Sequence, residues 1–219
     1  MQYITEPKST REIVFANKMS QQFITSILNR NFPFPQTGKT ALCFYGTYGT
    51  GKTTYAKLFC EDYEKAFTGK NDKPLVDIVQ CDSTENITQI IKQCESRSSL
   101  VSFNQSNLHY FVFDEVDNLT KKAQRLLKLF LNRINVVCVL TTNYVYEVDN
   151  GLKDRCHLIN FNAASSKDYL KRIKDIIRLN GLAMPTEKQL LERIDVAEGS
   201  WRSIISNVLY LCNKSNSTS

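Results

Sequence analysis

The run Gly46-Thr47-Tyr48-Gly49-Thr50-Gly51-Lys52-Thr53 satisfies every fixed position of the phosphate-binding pattern G-x-x-x-x-G-K-[ST]. The chemistry it serves is narrow. Gly46, Gly49 and Gly51 let the backbone fold back and aim successive N–H groups at a polyphosphate. Lys52 adds a positive point charge near the β- and γ-phosphates, and the Thr53 hydroxyl is suited to ligate Mg²⁺. Together with Thr47, Tyr48, Thr50 and the following Thr54, these residues define a binding stretch for a nucleoside triphosphate and Mg²⁺.

Two further groups of residues have chemistry to offer. Asp114 and Glu115 follow a mostly apolar run, and in an open parallel sheet ligands sit outside the carboxyl ends of strands. There Asp114 would hold Mg²⁺, with Thr53, while Glu115 polarises the attacking water as general base. A plain helix-capping acid pair is the competing reading. Asn143 ends the next apolar run, in Thr141-Thr142-Asn143, and a neutral amide at that rim can bond the γ-phosphate or the water without competing for the metal. An ordinary asparagine turn is its alternative.

These groups need elements to position them. The apolar run 41–45 reads as a buried strand ahead of the loop, and 53–63 as a helix whose N-terminus faces the phosphates. Further strands are expected at 75–80, 108–113, 136–140 and 158–161, with helices at 11–30, 84–96 and 121–132. Buried strands alternating with helices define an α/β fold with a parallel, doubly wound sheet. From residue 165 to 212 only helical patterns occur, broken at Asn180-Gly181 and Glu198-Gly199, and Ser165-Ser166-Lys167-Asp168 is a capped helix start. The expected organisation is a nucleotide-binding domain over 1–163, a small all-helical lid over 164–212 and a polar tail over 213–219.

Bulk properties exclude some classes. A 42% apolar content supports a packed core, and no apolar run approaches the ~18 residues of a membrane span. The N-terminal Met1-Gln2-Tyr3-Ile4-Thr5-Glu6-Pro7 lacks a basic-then-apolar signal pattern, so a cytoplasmic or nuclear location without a membrane partner is expected. Seven cysteines never form C-x-x-C and lie largely in apolar segments, which reads as buried thiols in a reducing compartment. The net charge of +6 permits a polyanionic partner without demonstrating one.

The segment Asp114-Glu115-Val116-Asp117-Asn118-Leu119-Thr120, continuing through Ala123-Gln124 to Leu126-Leu127, resembles the acid-bearing region of AAA+ sliding-clamp loader subunits, especially the small subunits of replication factor C. Ile13-Val14 resembles that family's adenine-pocket entry, Asp154-Arg155-Cys156 its Ser-Arg-Cys motif, and Gly199-Ser200-Trp201-Arg202 the second sensor of its lid. The likeness runs in order over about residues 6–212. It implies that Arg155 is an arginine finger offered in trans to a neighbour's γ-phosphate, and that Arg202 reaches the nucleotide in cis. It also implies a ring or spiral of homo- or hetero-oligomeric AAA+ subunits, with a sliding clamp as a possible partner.

DNA contacts are implied at Asn86-Ile87-Thr88 with Lys92, and at Thr120-Lys121-Lys122 with Arg125, where helix N-termini and cations suit a phosphate backbone. A solvated charged face remains the alternative for each, and it is the main reading of Lys167, Lys171, Arg172, Lys174 and Arg178. Departures from the family are the Thr47-Tyr48 pair where prolines are common, and a chain that stops about where a collar domain should begin. The expected function is therefore an ATPase subunit of a clamp-loader-like assembly acting on DNA in replication. A filament-forming AAA+ regulator or recruitment ATPase, of transposition or initiation type, is the alternative, and a non-hydrolysing scaffold a third.

Overall fold

In the computed structural model, residues 3–36, 38–71, 73–81 and 87–216 are described. Five strands form a sheet covered by helices on each side; the three inner strands are buried on both faces and the two edge strands are partly exposed. The strands are β1 (Ala41–Tyr45), β2 (Val76–Gln80), β3 (His109–Asp114), β4 (Val136–Thr142) and β5 (Cys156–Asn160). All pair in parallel in the order β2-β3-β4-β1-β5. β1 lies inside the sheet between β4 and β5, and its composition, Ala-Leu-Cys-Phe-Tyr, suits cover on both faces.

One face is covered by α1 (Lys18–Leu28) and α2 (Lys52–Thr68), with Ile24, Ile27, Tyr55 and Phe59 packed on Leu42, Phe44 and Val139. The other carries α3 (Ile87–Ser98), α4 (Lys121–Phe130) and the short α5 (Asn150–Asp154), with Ile91, Leu127 and Leu152 packed on Cys43, Phe111 and Leu140. Successive strand residues point to opposite faces, so Leu42 and Cys43 belong to different cores. All seven cysteines are free and buried, and burial pushes the Cys43 thiol to about 12 and that of Cys94 to about 11. They pack as small apolar groups.

A third core belongs to α6 (Ser166–Leu179), α7 (Glu187–Asp195) and α8 (Trp201–Asn216), built on Ile173, Ile177, Leu190, Ile194 and Ile204. Ser165 and Asp168 form a reciprocal capping box at the start of α6, satisfying two N–H groups that a helix end leaves unpaired.

Two boundaries differ from the sequence expectation, and a third cannot be compared. The single helix expected over 11–30 is a 3₁₀ turn at Thr10–Glu12, an extended stretch, and then α1. Asn17 sets the new start by accepting the Ser20 N–H, while the β-branched and aromatic Ile13-Val14-Phe15 run stays extended. The start expected at residue 84 lies outside the described residues. Helix α8 runs on to Asn216 rather than giving way to a tail at 213, since no Gly or Pro interrupts it.

The N-terminal segment straps the two cores together. Thr10 donates its N–H (2.7 Å) and hydroxyl (2.6 Å) to Asp62 of α2. At its other end Ile4 exchanges two hydrogen bonds with the Asn180 side chain at the end of α6 (2.8 and 2.9 Å). Ile13 packs against the α1–α2 core and Val14 against the lid core. None of the described helices is long and apolar enough to cross a membrane.

Candidate functional site

The junction of loop, sheet rim and lid encloses a cavity of about 390 Å³, within the range of nucleotide-sized pockets. The phosphate loop connects β1 to α2, whose N-terminus opens directly onto the cavity. The Lys52 Nζ spans the loop, donating to the carbonyls of Gly46 (2.9 Å) and Thr47 (2.7 Å). Lys52 is only 7% exposed, and that burial draws it down to about 8, while Asp117, Asp114 and Glu115 pull the other way and keep it charged at neutral pH.

At the carboxyl end of β3, Asp114 Oδ1 accepts two hydroxyls, from Thr53 (2.7 Å) and from Thr141 of β4 (2.6 Å). Thr53 and Asp114 thus present adjacent hard oxygen donors. Among the described residues no group of three or more His, Cys, Asp or Glu could hold a metal. The donor set fits Mg²⁺, which keeps several waters and is held by one or two protein oxygens plus phosphate. Glu115, next along, sits in the left-handed region (φ 59, ψ 53), a strained conformation for a non-glycine residue. Its N–H is tethered to Thr141 Oγ1 (2.9 Å), and its carboxylate accepts from Asn118 Nδ2 (3.3 Å). Thr141 therefore fixes both acids, one through its donor and one through its acceptor. Asp117 Oδ1 is buried there without a hydrogen-bond partner.

The lid closes on the loop by direct contact. The Arg202 N–H faces the Gly49 carbonyl (3.4 Å), and Ser200 fills the space where a side chain on Gly49 would stand. Gly49 (φ +72) and Gly199 (φ +80) both adopt conformations that L residues rarely take, and a Cβ on Gly199 would collide with that of Ala163. Tyr169 and Trp201 pack as a tilted pair beside the cavity with ring centroids 5.6 Å apart.

Most residues anticipated from the sequence meet at this cavity. Ile13, Val14, Asn143 and Arg202 line it, as does Glu115. So do Tyr48, Gly49, Thr50, Gly51, Lys52, Thr53 and Thr54 of the loop stretch. Gly46, Thr47 and Asp114 do not line it but are bonded to residues that do, Lys52 and Thr53. Arg155 does not belong to it. It follows α5 and precedes β5, whose first residue Cys156 is level with Ala41, the far end of β1 from the loop. There its guanidinium donates to Asn132 Oδ1 and to the Gly151 carbonyl, both at 2.9 Å. Lys92 on α3 and Lys121, Lys122 and Arg125 on α4 are exposed on adjacent helices of one face, and Asn86 lies outside the described residues.

One expectation is overturned. Arg172 is no solvated lid residue but is 8% exposed and lines the cavity, with its guanidinium on Glu12 (2.6 Å) and facing the Glu6 carbonyl (3.4 Å). Helical spacing alone gave no sign that the strap would come to it. The cavity contributions of Thr5, Glu6 and Pro7, and the double role of Thr141, also went unread.

A parallel β2-β3-β4-β1-β5 sheet with a phosphate loop after β1 and a helical lid defines an AAA-type nucleotide-binding module. The chain belongs to the AAA family, the ATPase family associated with various cellular activities, whose model matches residues 42–163. It is similar to the replication factor C small subunit of Aeropyrum pernix, at 25% identity over 93% of this chain and 59% of that protein. It is similar too to replication factor C subunit 3 of Saccharomyces cerevisiae, at 26% identity over 95% of this chain and 62% of that one. The chain thus spans about three fifths of the length of these relatives. Among solved structures, C. elegans PCH-2 shares the fold with a TM-score of 0.65 at 17% identity, covering 89% of this chain and 62% of that one.

Proposed function

We propose that this protein is an ATP-hydrolysing subunit of a clamp-loader-like assembly acting on DNA in replication, with each ATP site completed by Arg155 of a neighbouring subunit. The observation that carries the reading is the placement of Arg155 at the end of the sheet opposite its own phosphate loop. Its finger could not serve its own site. In this scheme Lys52 and the loop N–H groups would bind the triphosphate, and Thr53 and Asp114 would hold Mg²⁺, which would supply charge compensation to the phosphates. Glu115 takes a proton from the attacking water, Asn143 orients that water, and Arg202 reads the phosphate from the lid. Likeness to replication factor C subunits supports DNA and a sliding clamp as partners, with exposed Lys92, Lys121, Lys122 and Arg125 as backbone contacts.

The test is ATP turnover with primed duplex DNA, with and without a cognate clamp. Stimulation by the two together is expected. Indifference to the clamp, with filaments on DNA by microscopy, would instead assign a recruitment-type AAA+ regulator. The finger is tested by mixing: Arg155→Ala and Glu115→Gln chains, each inactive, should regain turnover when combined. No recovery would sink catalysis in trans.

A further inference from the structure

Strand β4 ends at Thr142, so Asn143 stands one residue beyond the sheet ladder, and the turn that follows must set its position. Tyr144 is the fixed point of that turn. Its N–H donates to the hydroxyl of the buried Thr142 (3.1 Å), and its carbonyl accepts the Glu147 N–H (2.9 Å). The Tyr144 ring reaches across to the phosphate loop. It meets the Tyr48 ring edge-on at 5.7 Å between centroids, and Tyr146 meets it in turn at 5.6 Å.

Edge-to-face rings at this separation attract through their quadrupoles as well as by shedding water. A hydrogen bond to Tyr144, followed by burial and the charges of Asp117 and Glu115, pushes the Tyr48 phenol to about 12. Tyr48 and Tyr144 are 59% and 36% exposed, so water competes for their hydroxyls and the ring contact carries the link. Tyr48, Glu115 and Asn143 all line the nucleotide cavity, whereas Tyr144 does not. Tyr144 therefore joins the phosphate loop to Asn143 from outside the site. It can govern where the Asn143 amide sits without itself holding nucleotide.

We propose that Tyr144 is a positioning residue for ATP hydrolysis: its ring, braced on Tyr48, holds the Asn143 amide at the place in the cavity from which it orients the attacking water. The inference rests on the water-orienting role proposed above for Asn143, and not on DNA, a clamp or a neighbouring subunit. Small displacements matter there, since misplacing a positioned group by about 1 Å can cost about 10²-fold in rate. Binding depends instead on the loop N–H groups and Lys52, which a change at Tyr144 leaves in place.

Single-turnover ATP hydrolysis by the full chain reads the chemical step, and a fluorescent non-hydrolysable ATP analogue reads binding. Tyr144→Ala should slow hydrolysis about tenfold or more, with analogue affinity kept within about twofold. Tyr144→Phe retains the ring and should hydrolyse within about twofold of the wild-type rate. Asn143→Ala should be slow as well, and adding Tyr144→Ala to it should cost nothing further, because a displaced amide and a missing one are the same loss. Additive losses, a Tyr144→Phe chain as slow as Tyr144→Ala, equal loss of rate and affinity, or full-rate hydrolysis in Tyr144→Ala would overturn the positioning role. Full-rate hydrolysis in Asn143→Ala would overturn it together with the role given to Asn143. Hydrolysis that follows the expected pattern yet ignores DNA and clamp would remove the clamp-loader reading and leave Tyr144 in its place.

Discussion

Arg172 of the lid and Glu12 of the N-terminal strap form an ion pair 2.6 Å long at the edge of the nucleotide cavity, with the arginine side chain 9% exposed. The pair joins elements that are remote in sequence and covers one wall of the cavity. Removing either partner leaves the other's charge poorly solvated, which is costlier than losing an exposed pair.

Arg172→Ala is expected to lower stability by about 1–3 kcal/mol, the range for hydrogen bonds to charged groups. The urea midpoint measures it. The single tryptophan, Trp201, lies against Tyr169 in the cavity wall and should report the loosened lid as altered fluorescence. An unchanged midpoint and spectrum would show that the strap holds without this pair.

Thr141→Val separates binding from chemistry. It removes one donor from Asp114 and the acceptor of the Glu115 N–H, while filling the same buried space. Turnover should fall about tenfold, equivalent to about 1.4 kcal/mol in the barrier. Affinity for a non-hydrolysable ATP analogue should stay within about twofold, because the loop and Lys52 are untouched. Equal loss of both would place Thr141 in ground-state binding instead.

Gly49→Ala attacks the contact between loop and lid. The new methyl collides with Ser200 Oγ, and the positive φ adds roughly 1–2 kcal/mol of strain for an L residue. ATP-analogue affinity should drop, and Ser200→Gly should restore only part of it, since the strain remains. Full rescue would mean that the collision alone matters.

His157 gives the protein a pH dependence. Burial, with Lys39 nearby, holds its folded value below the ordinary 6.5, and its Nε2 is buried without a hydrogen-bond partner. The unfolded chain therefore binds the proton first. Stability is fully present above about 6.5 and declines as pH falls through that value toward the lower folded one. Urea midpoints between pH 7.5 and 5.5 should show this slope, and His157→Phe should flatten it.

The sheet, the phosphate loop and the acid pair were legible because each depends on local pattern. Apolar runs, glycine spacing and Asp114-Glu115 after a strand declare their places in the fold within a few residues. Ser165 and Asp168 likewise announced the helix they cap. The failures share a different cause. Arg172 looks like any lysine or arginine on its helix until the strap from residues 4–12 is laid over it, and Thr141 is an ordinary strand residue until β3 is set beside β4. The break before α1 was hidden because Ile13, Val14 and Phe15 fit a helical stripe as well as an extended segment whose neighbours pack into two different cores.

The strap also dictates when the cavity can come into being. Tyr3 shares a hydrogen bond with Asn213 across 210 positions, and Ile4 with Asn180 across 176. On the ribosome, residues 3–14 emerge well before α6 and α8, on whose residues they close. Loop and sheet could form while α8 is still being synthesised, but the wall shared by strap and lid could not. Nucleotide would then meet a finished site only after α8 leaves the exit tunnel, and its binding would reward the docking of strap on lid rather than the early folding of the sheet.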